Sequence, residues 1–326
     1  MQKGASEHDL LGLAGYLAPE GYVDTLREEL CGVGAEVAFE LGRLLFAARQ
    51  TEDPAWAQNV WRDPRLIPIR SIRDGARKLR AIQRNWSLYS ARHHRRAALI
   101  RDALPPVSAK PLEFGAPPPR APLGSFTLYD EHAIIASPRC SSPFKNGEVR
   151  FVEDKRGPPS RAYLKLWEAL TLVGIRPGPN DVCVDLGASP GGFTWVLSEL
   201  GASVIAVDRA PLDPAIAARH NVRQELGDAF SLDPRRLGAI DWLVADIAAY
   251  PRRLLELLSR WDRAGALRRA ICTIKFQGKT DHAAARAFTE RLGGTLRHLS
   301  HNRHELTWMR IPADPPPRDP TPGDTH

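Results

Sequence analysis

The second half of the chain alternates short apolar runs with stretches of helical periodicity. From Ser160 onward, several of the runs are apolar on both faces, which is typical of parallel strands covered by helices. The last two runs are separated by only a few residues, which permits an antiparallel pair but no crossover helix. The runs predicted as strands are DVCVDL, SVIAVD, NVRQEL, IDWLVAD, AICTIKF, LRHLS and ELTWMRI. We therefore predict an α/β domain with a seven-stranded, mostly parallel sheet.

The helix before the first of these strands is amphipathic. The residues that share one face of RAYLKLWEALTLVG are Tyr163, Leu166, Trp167, Leu170 and Val173. This face is predicted to pack against the sheet. Lys165 lies outside this apolar face, and periodicity alone favours a solvated surface lysine there.

The first half of the chain has a different pattern and ends in a proline-rich stretch. Apolar runs such as EVAFELGRLLFAA alternate with the helical patterns VDTLREELC and SIRDGARKLRAIQRNWSLY, which favours a small α+β unit. The stretch LPPVSAKPLEFGAPPPRAP then indicates a boundary or a strap along the surface, and SFTLYD, HAIIAS and EVRFVE are predicted as short strands. We predict an N-terminal region at 1–104, a proline-rich linker with short β segments at 105–158, the α/β domain at 159–312 and a disordered tail at 313–326.

Length and composition agree with two folded units in a cytoplasmic protein. The chain has 326 residues, of which 43% are apolar, and one domain usually takes roughly 100–200 residues. Since no apolar run approaches the roughly 18 residues of a membrane helix, we expect no membrane association. The N-terminus has no signal-peptide pattern. The four cysteines form no C-x-x-C pair or metal-ligand pattern, so we expect reduced, buried thiols and no metal.

Positive charge is concentrated in one segment. The chain carries 45 Lys plus Arg against 38 Asp plus Glu, a net charge of +7. Between Arg62 and Arg101 there are twelve basic and two acidic residues, and this local excess favours a polyanionic partner such as RNA. Trp86 and Tyr89 lie in the same segment and are candidates for stacking on unpaired bases. The alternative, a solvated amphipathic helix with Trp86 in the core, stays open.

A glycine-rich turn follows the first strand of the α/β domain. It reads Asp185-Leu-Gly-Ala-Ser-Pro-Gly-Gly192, and open α/β sheets bind ligands at this edge. Its glycine spacing does not fit the dinucleotide pattern G-x-G-x-x-G, which argues against an NAD enzyme. The candidate cofactor-binding residues here are Asp185, Gly187, Ala188, Ser189, Pro190, Gly191, Gly192 and Phe193.

Aspartates at the ends of the following strands extend this candidate site. Asp208 closes SVIAVD, where an acid commonly accepts hydrogen bonds from a ribose. Asp228 in GDAF is placed to meet an adenine amino group, and Asp246 closes IDWLVAD. Each of the three has an alternative as a helix N-cap. Their placement at successive strand ends favours a ligand that contains a nucleoside.

Two motifs carry a family resemblance. PSRAYLKLWEAL and DLGASPGGFTWVLSELGASVIAVDRAPL resemble the FtsJ-like RNA 2'-O-methyltransferases, most closely the RlmM-type enzymes, over roughly residues 159–311. The seven-strand plan is that of the class I methyltransferase fold. The resemblance implies S-adenosylmethionine as cofactor, a cytidine ribose of large-subunit ribosomal RNA as substrate, either free or in a precursor particle, and a THUMP-like RNA-docking region at 1–104.

The resemblance also implies a catalytic Lys-Asp-Lys-Glu set. The positions that match are Lys165, Asp246, Lys275 and Glu305. Lys275 also stands out on physical grounds, because a lysine in the apolar strand AICTIKF is costly to bury without a partner. We assign it as the base that accepts the proton of the 2'-hydroxyl, which requires a neutral amine. For Glu305, a surface ion pair with the basic HNRH segment is the alternative.

Two other functions are compatible with the same residues. One is a methyltransferase of this fold that acts on a small molecule or a protein. The other is an RNA-binding module that has kept the fold without activity. The residues that follow Asp246 are Ile-Ala-Ala, so the signature of N6-adenine methyltransferases is absent. Cys272 lies in mid-strand, so we interpret it as a core residue.

Overall fold

The computed structural model describes residues 10–312 as three successive β-sheets with their helices. The predicted tail at 313–326 lies outside this range. Within the described part, no helix is long and apolar enough to span a bilayer. All four cysteines are free thiols. The expectation of buried thiols is confirmed for Cys183 and Cys272. It was wrong for Cys140, which is half-buried, and for Cys31, which is exposed because it occupies the last turn of a surface helix.

The first sheet is antiparallel, with strand order β2-β3-β1-β4. Its elements are β1 (Leu13–Leu17), α1 (Val23–Gly32), β2 (Val37–Leu41), β3 (Leu44–Ala48) and β4 (Asn59–Trp61). The run EVAFELGRLLFAA forms the hairpin of β2 and β3. Helix α1 buries Leu26 and Leu30 in a core cluster that continues into the α/β domain.

The second sheet has the order β5-β8-β7-β6. Its elements are β5 (Arg65–Pro68), α2 (Ile72–Ile82), β6 (Trp86–Leu88), α3 (His94–Asp102), β7 (Gly124–Leu128) and β8 (Ala133–Ser137). The predicted boundary at residue 104 therefore divides a sheet, because β7 and β8 pair with β6 and β5 across the proline-rich stretch. EVRFVE forms only an isolated bridge between Phe151 and Leu112.

The helical prediction for SIRDGARKLRAIQRNWSLY was wrong in its second half. Helix α2 ends at Ile82, and Gln83 at its C-cap is extended. The indole Nε1 of Trp86 then donates to the carbonyls of Leu79 and Gln83, at 2.9 and 3.0 Å. Because the last carbonyls of a helix lack intrahelical partners, this contact stabilises the helix end and draws Trp86 into the core.

The third sheet confirms the predicted class I methyltransferase fold, with strand order β11-β10-β9-β12-β13-β15-β14. Strands β9 to β13 are parallel, and β15 is antiparallel to β13 and β14. The elements are α4 (Tyr163–Val173), β9 (Val182–Leu186), α5 (Gly192–Glu199), β10 (Ser203–Asp208), α6 (Pro214–Ala217), β11 (Val222–Leu226), β12 (Trp242–Ala245), α7 (Pro251–Arg263), β13 (Arg269–Lys275), α8 (His282–Leu292), β14 (Thr295–Arg297) and β15 (Glu305–Arg310).

Two core clusters cover the two faces of this sheet. Helices α4 and α5 pack on one face, and α7, α8 and the first N-terminal sheet contribute to the other. The amide of His298 donates to the carbonyl of Ala55 at 2.7 Å, and the ring of His298 packs 5.0 Å from that of Trp56. The first N-terminal sheet is thereby joined to the edge of the α/β domain where β15 begins.

Candidate active site

The glycine-rich turn runs tightly from β9 into α5. Gly187 has a φ of +76°, and a Cβ at this position would lie 2.6 Å from the Ile247 side chain. Gly192 is as confined as Gly187, because a Cβ there would lie 2.5 Å from the Ser160 hydroxyl. The turn is thus closed on its inner side by two neighbouring loops, and only glycine lets the backbone run this close to them.

Asp185 is buried at the mouth of β9. Its Oδ2 accepts a hydrogen bond from the Thr194 hydroxyl at 2.6 Å, whereas Oδ1 has no partner in the described structure. Burial raises the pKa of Asp185 to about 7, with the charges of Asp246 and Asp208 acting in the same direction against the Thr194 hydrogen bond. A buried acceptor without a donor is costly. The site therefore has a place for a hydrogen-bond donor from a ligand.

Asp208 and Asp228 lie at the next two strand ends, as predicted, and neither caps a helix. Asp208 accepts from the amides of Ser189 and Ala210, at 3.0 and 2.9 Å, and so joins β10 to the turn. Asp228 pairs with Arg209 at 2.5 Å, and this hydrogen bond lowers the pKa of its carboxyl. The N-cap residues of α6 and of the 3₁₀ turn after β11 are Asp213 and Asp233. The N-cap alternative was therefore wrong for both residues.

The remaining predicted residues of the turn have structural contacts of their own. Ala188 and Phe193 are buried in the core beside α4 and α5. The Ser189 hydroxyl donates to the carbonyl of Pro211 at 2.8 Å. The carbonyl of Pro190 accepts from the amide of Asp213 at 2.9 Å. These bonds tie the turn to the segment after β10, so that the backbone conformation is set before any ligand binds.

Lys165 lies between two carboxylates. Its Nζ is 3.1 Å from both carboxylate oxygens of Asp246 and 2.8 Å from Glu305 Oε1. The side chains of Lys165, Asp246 and Glu305 are 14, 15 and 8% exposed. The surface alternatives for Lys165 and Glu305 were therefore wrong. Asp246 is not a helix cap either, since α7 begins after Tyr250 without a side-chain cap.

Lys275 completes the cluster from β13. Its Nζ donates to the main-chain carbonyl of Asp246 at 2.7 Å and lies 3.0 Å from Asp246 Oδ1. The residue stands opposite Glu305 in the β13–β15 pairing, and its side chain is 28% exposed. Two cations and two anions thus compensate each other in a partly buried site. Lys275 is the member with most access to solvent.

Glu168 holds the loop before β15 and was missed in the sequence. Its carboxylate is buried and accepts four hydrogen bonds, two from Ser300 and two from His301, at 2.6–3.1 Å. Because Glu168 lies one turn after Lys165 on α4, one helix holds both the ionic cluster and the loop that leads to Glu305. The available signal was an acid among the apolar residues of that helix.

An aromatic cluster from both halves of the chain borders the ionic cluster. Tyr22 of the first N-terminal sheet region packs 5.0 Å from Trp56 and 5.8 Å from His304. Burial raises the pKa of Tyr22, and the charge of Glu305 adds to this rise. Sequence reasoning gave no signal for this contact, because Tyr22 and Glu305 are brought together only by the packing of the two domains.

The proposed base-stacking role of Trp86 and Tyr89 is contradicted. Trp86 is 2% and Tyr89 8% exposed. The indole of Trp86 lies over the end of α2, and the Tyr89 hydroxyl accepts from the amide of Arg43 at 2.7 Å. Neither ring is therefore free to stack on a base, and the core alternative for Trp86 is confirmed.

Asp185 predicts a pH dependence of stability in the ligand-free protein. Its pKa rises from 3.8 to about 7 on folding, so the stabilising contribution of the protonated form is complete below the unfolded value and is lost as the pH rises through the folded value. We expect the melting temperature to fall more steeply between about pH 4 and about pH 7 in the wild type than in Asp185→Asn. Asp24→Asn, at a 90% exposed side chain, serves as control. Equal slopes in all three proteins would contradict the prediction.

Comparison with known proteins shows which family this chain belongs to. FtsJ-like methyltransferases match residues 158–284. The ribosomal RNA large subunit methyltransferase M of Halorhodospira halophila is 39% identical over 160 residues, and that of Azotobacter vinelandii 34% over 198 residues. In these two alignments the chain spans about half of each relative, 47 and 55%. The corresponding protein of Xanthomonas axonopodis pv. citri is 30% identical over 328 aligned residues, 92% of each chain. The chain therefore belongs to the FtsJ-like methyltransferases, within the family named ribosomal RNA large subunit methyltransferase M.

Proposed function

We propose that this protein is an S-adenosylmethionine-dependent methyltransferase that modifies a ribose 2'-hydroxyl, of a cytidine, in large-subunit ribosomal RNA. The observation that carries the proposal is the ionic cluster, in which Lys165 and Lys275 both contact Asp246 at the mouths of β12 and β13. The cluster lies at the same sheet edge as the glycine-rich turn. A proton-accepting group and a nucleoside-binding turn at one edge are what transfer to a hydroxyl requires.

The residues around the turn fit an adenosine-containing cofactor. Among the residues that the structure describes, Oδ1 of Asp185 is a buried acceptor without a donor, and Asp208 and Asp228 present carboxylates at the next two strand ends. We assign Asp185 to a donor group of the cofactor, Asp208 to the ribose hydroxyls and Asp228 to the adenine side. When bound, S-adenosylmethionine supplies an electrophilic methyl group on a sulfonium sulfur.

Lys275 is oriented to accept a proton. The ammonium of Lys275 first releases one proton to solvent through its exposed side, and the neutral amine that remains has two hydrogens and one lone pair. At Lys275 the two hydrogens have acceptors in the carbonyl and the Oδ1 of Asp246, at 2.7 and 3.0 Å. The lone pair then points away from Asp246 toward the open side of the cluster. A substrate hydroxyl placed there transfers its proton to Nζ, and the partial exposure of Lys275 lets the proton leave to solvent.

Lys165 and Glu305 are proposed to position the reacting groups. Lys165 holds Asp246 and Glu305 together. The carbonyl and Oδ1 of Asp246 therefore stay in place to accept hydrogen bonds from Lys275. Glu305 is fixed in turn by its place in β15 opposite Lys275. The cluster thus sets the direction of the Lys275 lone pair before the RNA arrives, which is the kind of preorganisation that lowers a reaction barrier.

The N-terminal region is proposed to dock the RNA. Nine of the twelve basic residues between Arg62 and Arg101 are exposed on the second sheet and its helices. They are Arg65, Arg70, Arg73, Arg77, Arg80, Arg84, Arg92, Arg95 and Arg101. Such a surface attracts the phosphate backbone without reading its sequence. We keep the THUMP-like assignment for residues 1–104 as a proposal, and β7 and β8 extend the structural unit to Ser137.

The experiment that tests this function is a comparison of ribosomal RNA from strains with and without the gene. We expect one 2'-O-methylated nucleotide of large-subunit RNA to be lost on deletion, as read by mass spectrometry or by primer extension at low nucleotide concentration. Restoration by the wild-type gene is the control. An unchanged map would reject the proposal. Methyl transfer to a small molecule or protein, or RNA binding without transfer, would support one of the two alternative functions.

RNA binding is expected to depend steeply on salt. Each phosphate neutralised by a lysine or arginine contributes about 0.7 to the slope of log affinity against log salt for single-stranded RNA. Removing two exposed arginines together, as in Arg73→Gln/Arg77→Gln, should lower the slope by about 1.4 if both contact phosphates. Arg235→Gln/Arg236→Gln on the α/β domain, also in a basic pair, is the matched control. A flat salt response in the wild type would rule out phosphate contacts in this region.

A further inference from the structure

A groove runs between the second N-terminal sheet and the proline-rich stretch. It consists of two adjoining cavities of about 610 and 580 Å³, which share Pro106, Val107, Lys145 and Asn146 in their walls. Sites that enclose a ligand of nucleotide size usually have volumes of roughly 300–1,000 Å³. The groove is therefore large enough to accept a unit of that size in each half.

Lys145 lies at the junction of the two cavities without a counterion. Among residues 10–312, its ammonium takes part in no hydrogen bond and no ion pair. Burial lowers the pKa of Lys145, and the positive charge of Arg101 lowers it further. The acids in the walls have other partners, since Asp102 pairs with Arg101 and Glu148 with Arg150. A half-buried, unpaired cation beside a second cation is stabilised by an anion that enters the groove.

Lys145 is held in place by its neighbours in the chain. Asn146 has a φ of +53°, and its amide nitrogen donates to the carbonyl of Leu88 at 3.3 Å. Its own carbonyl accepts from Gln58 at 3.0 Å. Three residues further, the amide of Val149 donates to the Ser300 hydroxyl at 3.2 Å, and Ser300 is one of the partners of Glu168. The turn that carries Lys145 is thus connected by hydrogen bonds to the loop before β15.

We propose that this groove binds the backbone of single-stranded RNA, with one phosphate on Lys145 and Arg101 and the sugar and base of that nucleotide against the apolar wall. The inference rests on the proposed function and deepens it, because it names the place where substrate RNA is held outside the catalytic cluster. The wall is apolar at Pro106, Val107 and Phe144, which suits an unstacked base. Arg101, one of the nine exposed arginines of this region, lines the same groove and has the positive charge that a phosphate requires.

The test compares Lys145→Gln with the wild type in binding and in turnover. With a short fluorescent single-stranded RNA, we expect affinity to fall about tenfold at low salt and the salt slope to fall by about 0.7. With large-subunit RNA from a deletion strain, we expect KM to rise and kcat to stay near the wild-type value. Lys145→Arg should recover most of the affinity. Lys155→Gln, at an exposed lysine in the segment before the α/β domain and outside the walls of the groove, is the control and should change neither quantity.

Each other outcome overturns the inference. Unchanged RNA affinity and salt slope in Lys145→Gln would show that the groove does not hold the backbone, while methylation by the wild type would leave the proposed function intact. Calorimetry with inorganic phosphate separates a small-anion site from an RNA site. Phosphate binding that is lost in Lys145→Gln without any change in RNA affinity would assign the groove to free phosphate. If wild-type protein neither binds nor methylates the RNA, the proposed function fails and the inference fails with it.

Discussion

Lys275→Ala is expected to lower the rate of methyl transfer by about 10²–10⁴-fold, the range that a positioned general base contributes, with cofactor affinity unchanged within about twofold. The physical reason is the pair of hydrogen bonds to Asp246, which occupy both hydrogens of the neutral amine and direct its lone pair outward. Alanine removes the proton acceptor and leaves the glycine-rich turn untouched. Single-turnover methylation and calorimetric titration with the cofactor measure the two quantities separately.

Two further variants make this result specific to the amine. Lys275→Arg keeps the positive charge but cannot be deprotonated in a protein, so it should be as inactive as the alanine variant. Lys279→Ala removes an exposed lysine of the loop that follows β13 and should leave the rate near that of the wild type. Activity in Lys275→Arg would show that charge is sufficient at this position. Undiminished turnover in Lys275→Ala would remove the residue from the reaction.

Asp246→Asn is expected to lower the rate by at least about 10²-fold, as for loss of a preorganised polar group, and also to reduce stability by roughly 1–3 kcal/mol. Asp246 is the shared partner of Lys165 and Lys275. Without its charge, Glu305 is the remaining carboxylate in contact with Lys165, and Lys275 loses its ion pair. Because the side chains of Lys165, Asp246 and Lys275 are 14–28% exposed, solvent offsets part of the cost of an unpaired buried charge. Chemical denaturation and single-turnover kinetics give the two numbers.

A double-mutant cycle tests whether the stability loss comes from the ion pair. Lys165→Met and Asp246→Asn should each destabilise the protein, and the double variant should lose less than the sum of the two. Glu20→Gln, at an exposed glutamate without an ion pair among the described residues, should leave stability and turnover unchanged. Additive losses in the cycle would show that the contact contributes no coupling energy. Wild-type turnover in Asp246→Asn would exclude a role for its charge.

The residues of the candidate site differ in how well they could be predicted from the sequence. Lys275 was recognisable on physical grounds, because it interrupts an apolar strand. Asp185 was recognisable by its position before a glycine-rich turn, although its unpaired buried oxygen was not. Lys165 was matched only by resemblance, and periodicity assigned it to the surface. It is enclosed because β15 places Glu305 on one side of it and β12 places Asp246 on the other.

The N-terminal half shows where local pattern fails. The run through Trp86 has helical periodicity, yet α2 ends at Ile82, because the indole of Trp86 is used to satisfy the helix carbonyls. The strands β7 and β8 follow a proline-rich stretch, and only their pairing with β6 and β5 assigns them to the second sheet. These strand pairings join residues that are far apart in the chain, and propensity within a short window does not contain them.

By itself, the amino-acid sequence determined the α/β class, the seven strands and the edge of the sheet at which ligands bind. These follow from periodicity and from the rule that the carboxyl ends of parallel strands share one edge. Tertiary structure alone decided that four ionisable side chains, from α4, β13, β15 and the residue after β12, share one cluster. It also decided that Glu168 holds the loop before Glu305, and that Lys145 lies in a groove with no ion-pair partner among residues 10–312. The reason is that the energy of a charged group depends on the groups that lie about 3 Å from it in space. The order of residues along the chain does not specify these distances.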